Sequence, residues 1–458
     1  MSKRLFSIFL FLIISISLNA QRVSYEELAF RSQIPTIFIS DLILPGENGK
    51  TTLAFTFRFN NDFLPYKKIP LQNNLNVPAD AEFYTTIRLN TEVFEGSSKK
   101  RNPASMKSAS RDAWTDTLFV SNYEETQSDK IYASGSLTTN LEPGTYNYVL
   151  QLTMMQERKE RNTQRRNIRL PDLSKKETGE VILVRNVEQS GNQQSLRLMN
   201  MEENVPFGED FYALIRIPNY TADSPYQLVI NEAKTSRRDT TDGKNIHTQD
   251  ISHDDIFLES TVALQKGSNP SLLLSQNGQP YTYAVVKVPH KTFENAAYLL
   301  NVLKSEDDNP VAKLFFKSYW PDMPASLFNL NIAIDMLKYI VSDEELKRIR
   351  SGSTEEKEQK FREFWNSKDP TPETVYNELM AEFYRRVDYA YAEFGSQEDP
   401  LGHESDQGEV YIKYGPPNSV DRLFPSDNKV REVWEYDNRT FVFEASSGFG
   451  DFVLVGTR

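Results

Sequence analysis

The chain has 458 residues, with 52 Lys and Arg against 64 Asp and Glu, and no cysteine. At about 150 residues per domain, that length corresponds to about three domains, and a 12% aromatic share is too rich for a disordered chain. The missing cysteines exclude thiolate zinc sites, cysteine nucleophiles, iron–sulfur clusters and a lipid anchor through cysteine. Only four histidines (His247, His253, His290, His403) leave little for a histidine-rich metal centre, and a net charge of −12 argues against non-specific nucleic-acid binding.

Residues 1–20 read as a signal peptide. Lys3 and Arg4 precede an apolar run from Leu5 to Leu18, and Ala20 offers a small residue at the cleavage point. The run is shorter than the roughly 20 residues that span a bilayer. An exported mature chain from about Gln21 is expected, with a short uncleaved anchor as the other reading.

Residues 21–185 read as a first β-sandwich. Thr36–Leu44 and Thr51–Phe59 are rich in β-branched and aromatic residues. Leu53, Phe55, Phe57 and Phe59 alternate as in a half-buried strand. Phe83–Val93 alternates too, and Pro143-Gly144 turns the chain into a strand over Tyr146–Met154. This Pro-Gly-x-Tyr turn resembles those of immunoglobulin-like modules. Two polar stretches interrupt the module: Gly96–Asp112, expected as a loop, and Glu157–Arg169. The latter carries six basic residues against two acids. It reads either as a solvated hairpin tip or as a patch for an anionic glycan or lipid headgroup, a peripheral membrane contact. Residues 186–318 read as a second sandwich, with strands over Asp210–Ile217, Pro225–Ile230, Pro280–Val288, Ala297–Val302 and Ala312–Ser318.

After Trp320 the period changes. Leu327, Leu330, Ile334, Leu337 and Val341 are spaced for a helix. Ser342 and Ser353 each precede a Glu three residues on, the pattern of a capping box. Thr371-Pro372 predicts the start of a helix of about 22 residues, roughly 33 Å long. Its stripe is Val375, Leu379, Phe383, Val387, Ala390 and Phe394. Strands are then expected over Glu409–Tyr414, Arg431–Tyr436, Arg439–Glu444 and Asp451–Val455. Residues 319–458 thus predict an α+β domain, helices then an antiparallel meander. They hold 16 Lys and Arg against 27 Asp and Glu, so nearly all the acidity sits here.

Phe361–Trp365, Asp369-Pro370, Asn377-Glu378, Arg385-Arg386-Val387, Gly408–Ile412, Tyr414–Pro417, Glu432–Tyr436 and Gly448–Phe452 follow one another along this last part. Through these pieces, residues of roughly 327–458 resemble the GWxTD family of exported proteins of Bacteroidetes-type envelopes. Gly402 and Asp406 stand at the ends of the naming motif, with His403 and Ser405 in its Trp and Thr positions. The resemblance brings no catalytic activity or cofactor with it. It implies a Gram-negative-type envelope, periplasmic or at the cell surface.

His403, Glu404, Ser405 and Asp406 contain the residue types of a hydrolytic triad. Contiguous residues rarely converge that way, and no Gly-x-Ser-x-Gly elbow surrounds Ser405; a turn before a strand at Glu409 is the competing reading. His247, His253, Asp250, Asp254 and Asp255 could form a metal cluster, but the His-x5-His spacing matches no helical ligand pair, and the polar segment reads as a solvated loop. The interaction candidates are Gly402, His403, Asp406, Gly408, Asp369, Asn377, Arg385, Arg386 and Trp434, with no catalytic or metal-binding residue among them. One of Arg385 and Arg386 is expected to clamp Asp406 or Asp369. Trp365, Trp434, Tyr436 and Phe452 read as core, or as the lining of a ligand groove. The expected architecture is multidomain: two N-terminal all-β immunoglobulin-like sandwiches followed by the α+β domain. The expected function is a non-catalytic envelope or surface protein that binds other envelope proteins. A hydrolase-like site near 402–406 and glycan binding by a sandwich are the alternatives.

Overall fold

The computed structural model describes residues 37–70, 76–97, 106–156, 159–191, 193–236, 239–304, 309–395, 401–425, 429–445 and 452–458. The signal segment and the glycine-rich turn at 448–450 lie outside the described residues. The fold is mostly antiparallel β, with a helical C-terminal part. It divides into two compact units. One is β-rich, formed by 35–322 with Asp369–Glu378; the other combines Met323–Lys368 with Leu379–Arg458.

In the β-rich unit, β1 (Ile37–Pro45), β2 (Thr51–Asn60) and β6 (Tyr132–Leu141) form a sheet in the order β1-β2-β6. A second sheet contains β3 (Lys67–Lys68), β4 (Phe83–Glu95), β5 (Ser108–Val120), β7 (Gly144–Met154), β8 (Lys159–Asn162) and β9 (Arg166–Leu170). In it, β4 lies between β5 and β7, and β8 and β9 both pair with β7. A short helix, α1 (Tyr123–Thr126), is capped by Asn122, whose side chain accepts from the Glu125 N–H. Leu53, Phe55, Phe57 and Phe59 pack with Ile87, Leu89, Leu137 and Leu150.

The other face of β2 is buried as well, which corrects the half-buried reading. Ala54 joins a second core, and Arg58 lies 3.8 Å from the Tyr132 ring with its Nε donating to Asn60 Oδ1 at 3.0 Å. A pattern of alternating large and small or polar residues hides two-sided burial when the small side is covered by another sheet. Ser108–Asp112, expected as loop, belongs to β5 because its backbone pairs with Thr91–Phe94 of β4. From Lys159 on, the basic stretch forms β8 and β9; Arg161 in β8 and Arg165 just before β9 lie over Phe63 and Phe94 at 5.4 and 4.3 Å.

The next strands form a closed barrel and a sheet. The barrel joins β10 (Val181–Ser190), β11 (Gln193–Leu198), β13 (Phe211–Arg216), β16 (Ile256–Gln265), β17 (Ser271–Gln276) and β18 (Tyr281–Val288). The five-stranded sheet contains β12 (Asn204–Pro206), β14 (Tyr226–Thr235), β15 (Thr240–Asp250), β19 (Ala297–Lys304) and β20 (Ala312–Tyr319). Successive β13 side chains serve different cores, as the period of two requires. Phe211, Ala213 and Ile215 meet Leu228, Leu300 and Phe316 of the sheet. Leu214 instead meets Leu196, Leu272 and Leu274, joined by Leu44 and Ala54 from the first module. The barrel stands where an open two-sheet sandwich was expected, and β10 runs across the expected boundary at 186. The polar stretch around His247 is not a loop but the edge strand β15, held by its ladder to β14.

The second unit holds α2 (Leu330–Met336), α3 (Asp343–Arg350), α4 (Thr354–Asn366), α5 (Glu378–Glu393) and α6 (Asp406–Tyr414). They precede a sequential antiparallel sheet of β21 (Ser419–Leu423), β22 (Arg431–Tyr436), β23 (Arg439–Ala445) and β24 (Phe452–Thr457). Asn329 caps α2, and the chain tightens to a 3-10 turn at Leu337–Tyr339 rather than running on to Val341. Ser353 and Glu356 form the full capping box. Ser342 caps α3, but Glu345 turns to Arg348, forming two bonds of 2.8 and 2.9 Å.

Helix α5 has 16 residues, about 24 Å, and does not begin at Thr371. The Thr371 N–H donates to Asp369 Oδ1 at 2.9 Å, and the Val375 N–H donates to Lys291 O at 3.0 Å, so Asp369–Glu378 stays with the β-rich unit. Phe383, Val387 and Ala390 are buried as the stripe predicts, but Leu379 is 47% exposed. The largest correction is α6: Glu409–Tyr414 is helix, not strand.

Candidate functional site

The segment carrying the motif positions runs through a 3-10 turn, Gly402–Glu404, into α6. Ser405 is the N-cap of α6, its Oγ accepting from the Gly408 N–H at 3.0 Å and donating to Gly402 O at 2.7 Å. That hydroxyl favours helix over strand, because it satisfies a first-turn N–H that a strand would leave to a ladder. The two glycines are needed for room. A Cβ on Gly408 would overlap Gly402 O, and one on Gly402 would overlap Ala390 O at the end of α5.

The other side chains of the segment bond to neighbouring elements. His403 is buried, with the Tyr339 hydroxyl 3.0 Å from its Nδ1 and 2.6 Å from its carbonyl oxygen, and it stacks on Tyr391. Glu404 pairs with Lys338 at 2.7 Å, which holds its carboxyl below the ordinary range. Asp406 Oδ2 accepts from the Leu454 N–H at 2.6 Å, tying α6 to β24. Gln407 Nε2 donates to Glu432 Oε2 at 2.8 Å. Glu432 is buried, accepts from Arg422 Nε at 2.9 Å, and lies 3.4 Å from the Nε1 of buried Trp434. At the far end of α6, Tyr436 donates to Gly415 O at 2.8 Å, and burial pushes its phenol up to about 12.

The segment is therefore a staple joining the 3-10 turn at 337–339, α5, α6, β22 and β24. It does not assemble a relay: Ser405 Oγ is oriented by helix capping, His403 faces Tyr339, and Asp406 faces β24. Of the interaction candidates, Gly402, His403, Asp406 and Gly408 lie in this segment, and Trp434 packs against Val410 of α6. The expected arginine clamp does not form at Arg386. Its Nε donates to Glu382 Oε1 at 2.8 Å, and Arg385 lies 3.9 Å from the same carboxylate, one turn away on α5. The Arg386 guanidinium also lies against Gly415, whose φ of 80° and closeness to Arg386 Cζ disfavour any side chain. Asp369 and Asn377 belong to the β-rich unit, where Asn377 is buried.

Trp365 sits in the helical core with Phe383 and Tyr384, whereas Trp434, Tyr436 and Phe452 pack between α6 and the sheet. The four aromatics therefore divide between two cores instead of lining one groove. His247 meets Gln249 at 2.7 Å, and among the described residues no three His, Asp or Glu side chains gather to hold a metal. Fully buried His290 has Nδ1 at 3.0 Å from Glu209 O and Nε2 at 2.9 Å from Ser318 Oγ; burial lowers its pKa, favouring the neutral ring. Tyr339, Gln407 and Glu432 were not singled out in the sequence. Glu432 could have been, since it shares a strand face with Trp434 two residues on.

The model of the GWxTD domain matches residues 296–450. The chain carries a GWxTD domain. The match begins at the last two strands of the five-stranded sheet, upstream of the 319 boundary, so the matched stretch takes in β19 and β20 as well as the helices and β21 to β23, and ends before β24. No curated protein matches the chain. Among solved structures, the chain is similar to the type II cohesin dyad from the adaptor ScaA scaffoldin of Acetivibrio cellulolyticus. That match has 10% identity, 61% of this chain and 92% of the other covered, and a TM-score of 0.15, at which no argument about the GWxTD domain or its neighbours follows.

Proposed function

We propose that this is an exported, non-catalytic envelope protein whose GWxTD domain docks another envelope protein. The observation that supports this most is the second face of the C-terminal sheet. Phe441 and Phe443 of β23 and Trp434 of β22 turn toward α6, so alternation turns Val433 and Val442, directly paired, to the opposite face. Val453 and Val455 of β24 are 47% and 54% exposed, and Leu423 at the β21 edge is 48% exposed. An apolar sheet face with charged residues such as Glu435 and Arg431 around it has the make-up of a binding surface.

The net acidity of residues 319–458 selects a partner with a basic surface around an apolar centre, since opposite charge speeds encounter. Export rests on the signal-like segment at 1–20 and the absence of cysteine, and an immunoglobulin-like role for the first module on its two facing sheets.

The test is a double variant, Val433→Asp with Val442→Asp. The partner crosslinked to the mature chain in intact envelopes is identified, purified and titrated against both proteins. The variant is expected to lose at least about tenfold in affinity, as for a central apolar anchor, and binding should weaken with salt. Unchanged affinity in the double variant contradicts the assignment of this face.

A further inference from the structure

A cleft of about 400 Å³ opens in the β-rich unit, between Ile39–Leu42 of β1, Val181–Leu183 of β10 and the segment Leu198–Glu203. Strand β1 is the edge of its sheet. Its odd-numbered N–H groups point away from β2, as the bond from the Ile39 N–H to Glu202 Oε1 at 3.2 Å shows. The next such group, at Asp41, has no backbone partner among the described residues. A strand edge left open in this way is a template for another strand.

The far wall is strained. Asn200 and Glu202 both have left-handed backbones, with φ of 54° and 55°, although neither is glycine. Such residues cost free energy and persist where the surroundings hold them. The hold is visible: the Asn200 side-chain amide donates to Phe57 O at 2.8 Å. Its result is that the Glu202 carboxylate stands where the carbonyl of a neighbouring strand would stand.

The wall is also acidic. Asp41, Glu202 and Glu203 line the cleft with one lining cation, Arg166; Asp41 Oδ1 also accepts from the Tyr148 hydroxyl at 3.0 Å, and Lys317 acts on Glu203 from outside the lining. Burial, and then the nearby Glu202 charge, raise the pKa of Glu203, so an incoming cation would relieve like-charge crowding.

We propose that this cleft binds an extended, basic peptide segment of a partner protein. The segment adds as a strand to β1, takes over the Ile39 N–H from Glu202, and places Lys or Arg side chains on Asp41, Glu202 and Glu203. Main-chain pairing supplies affinity and the carboxylates supply the charge preference. The site lies in the other unit from the docking face and does not depend on it.

Three labelled heptapeptides test this on the full mature chain by fluorescence anisotropy: Val-Lys-Val-Lys-Val-Lys-Val, its Glu counterpart, and the Lys form with a central proline. The Lys peptide is expected to bind at least about tenfold more tightly than the other two, from lost pairing in one case and reversed charge in the other. Asp41→Pro should abolish binding without breaking the β1–β2 ladder, because that N–H points outward. Glu202→Arg should shift the preference toward the Glu peptide, which keeps the test valid if the proline variant folds poorly. Equal binding of the three peptides, no binding of any, or an unchanged preference in Glu202→Arg overturns the proposal.

Discussion

At the scale of single residues, the motif segment depends on groups that are easy to mistake for chemistry. His403, Ser405 and Asp406 adjoin one another in sequence, and each is consumed by a different structural bond. The Tyr339 hydroxyl is the clearest probe, since it serves both the ring and the carbonyl of His403 from a buried position. Tyr339→Phe should lower stability by about 1–2 kcal/mol, the usual cost of leaving a buried polar partner unmatched. Chemical denaturation of the C-terminal unit, followed by the fluorescence of Trp365 and Trp434, would measure it. A loss below about 0.3 kcal/mol would mean the hydroxyl does not hold the segment. The partner was invisible in the sequence because residues 339 and 403 are brought together only by tertiary packing, and nothing in the alternation or spacing of either segment points to the other.

At the scale of elements, strands were far more legible than helix limits. The expected strands over Tyr146–Met154, Pro280–Val288 and Arg431–Tyr436 match β7, β18 and β22 within two residues at each end. Apolar alternation there coincides with burial on one side. Helix α6 was misread for the same reason: Val410, Ile412 and Tyr414 also alternate. The signals that override alternation are Ser405 as a cap and the glycine-to-glycine fit beneath it, and neither has a strong sequence signature when the third helical residue is glycine instead of glutamate. Helix α5 was overextended because Thr371-Pro372 fits a helix start locally, while the Val375–Lys291 bond holds the chain off the helix until Glu378.

The glycine fit makes the sharper prediction at this scale. Gly408→Ala should destabilise the C-terminal unit by more than about 3 kcal/mol through backbone overlap, whereas Ser405→Ala should cost only about 1 kcal/mol as a lost cap. Thermal unfolding of both variants separates the two. Equal, small losses would show that α6 does not need the close backbone approach at Gly402.

At the scale of the whole molecule, the chain builds its stability without disulfides from several cores, and it places most of its negative charge in one part. The count of about three domains led to boundaries at 186 and 319. The strand β10 crosses the first, the core shared by β1, β2 and the barrel blurs it further, and Asp369–Glu378 returns to the β-rich unit after the second. Composition and local pattern do not report which distant segments share a core. The same holds for function: the motif positions drew attention to a buried staple, and the apolar face on the opposite side of the sheet emerges only when strand register is known.

The central claim is that the outward face of the C-terminal sheet, and not the motif segment, meets the partner. Site-specific photocrosslinking in living cells tests it most directly, with the probe at Val442 on that face or at Glu404 on the solvent side of the motif segment. The expected result is a discrete protein adduct from position 442 and none from 404. An adduct from 404 with position 442 silent would contradict the claim.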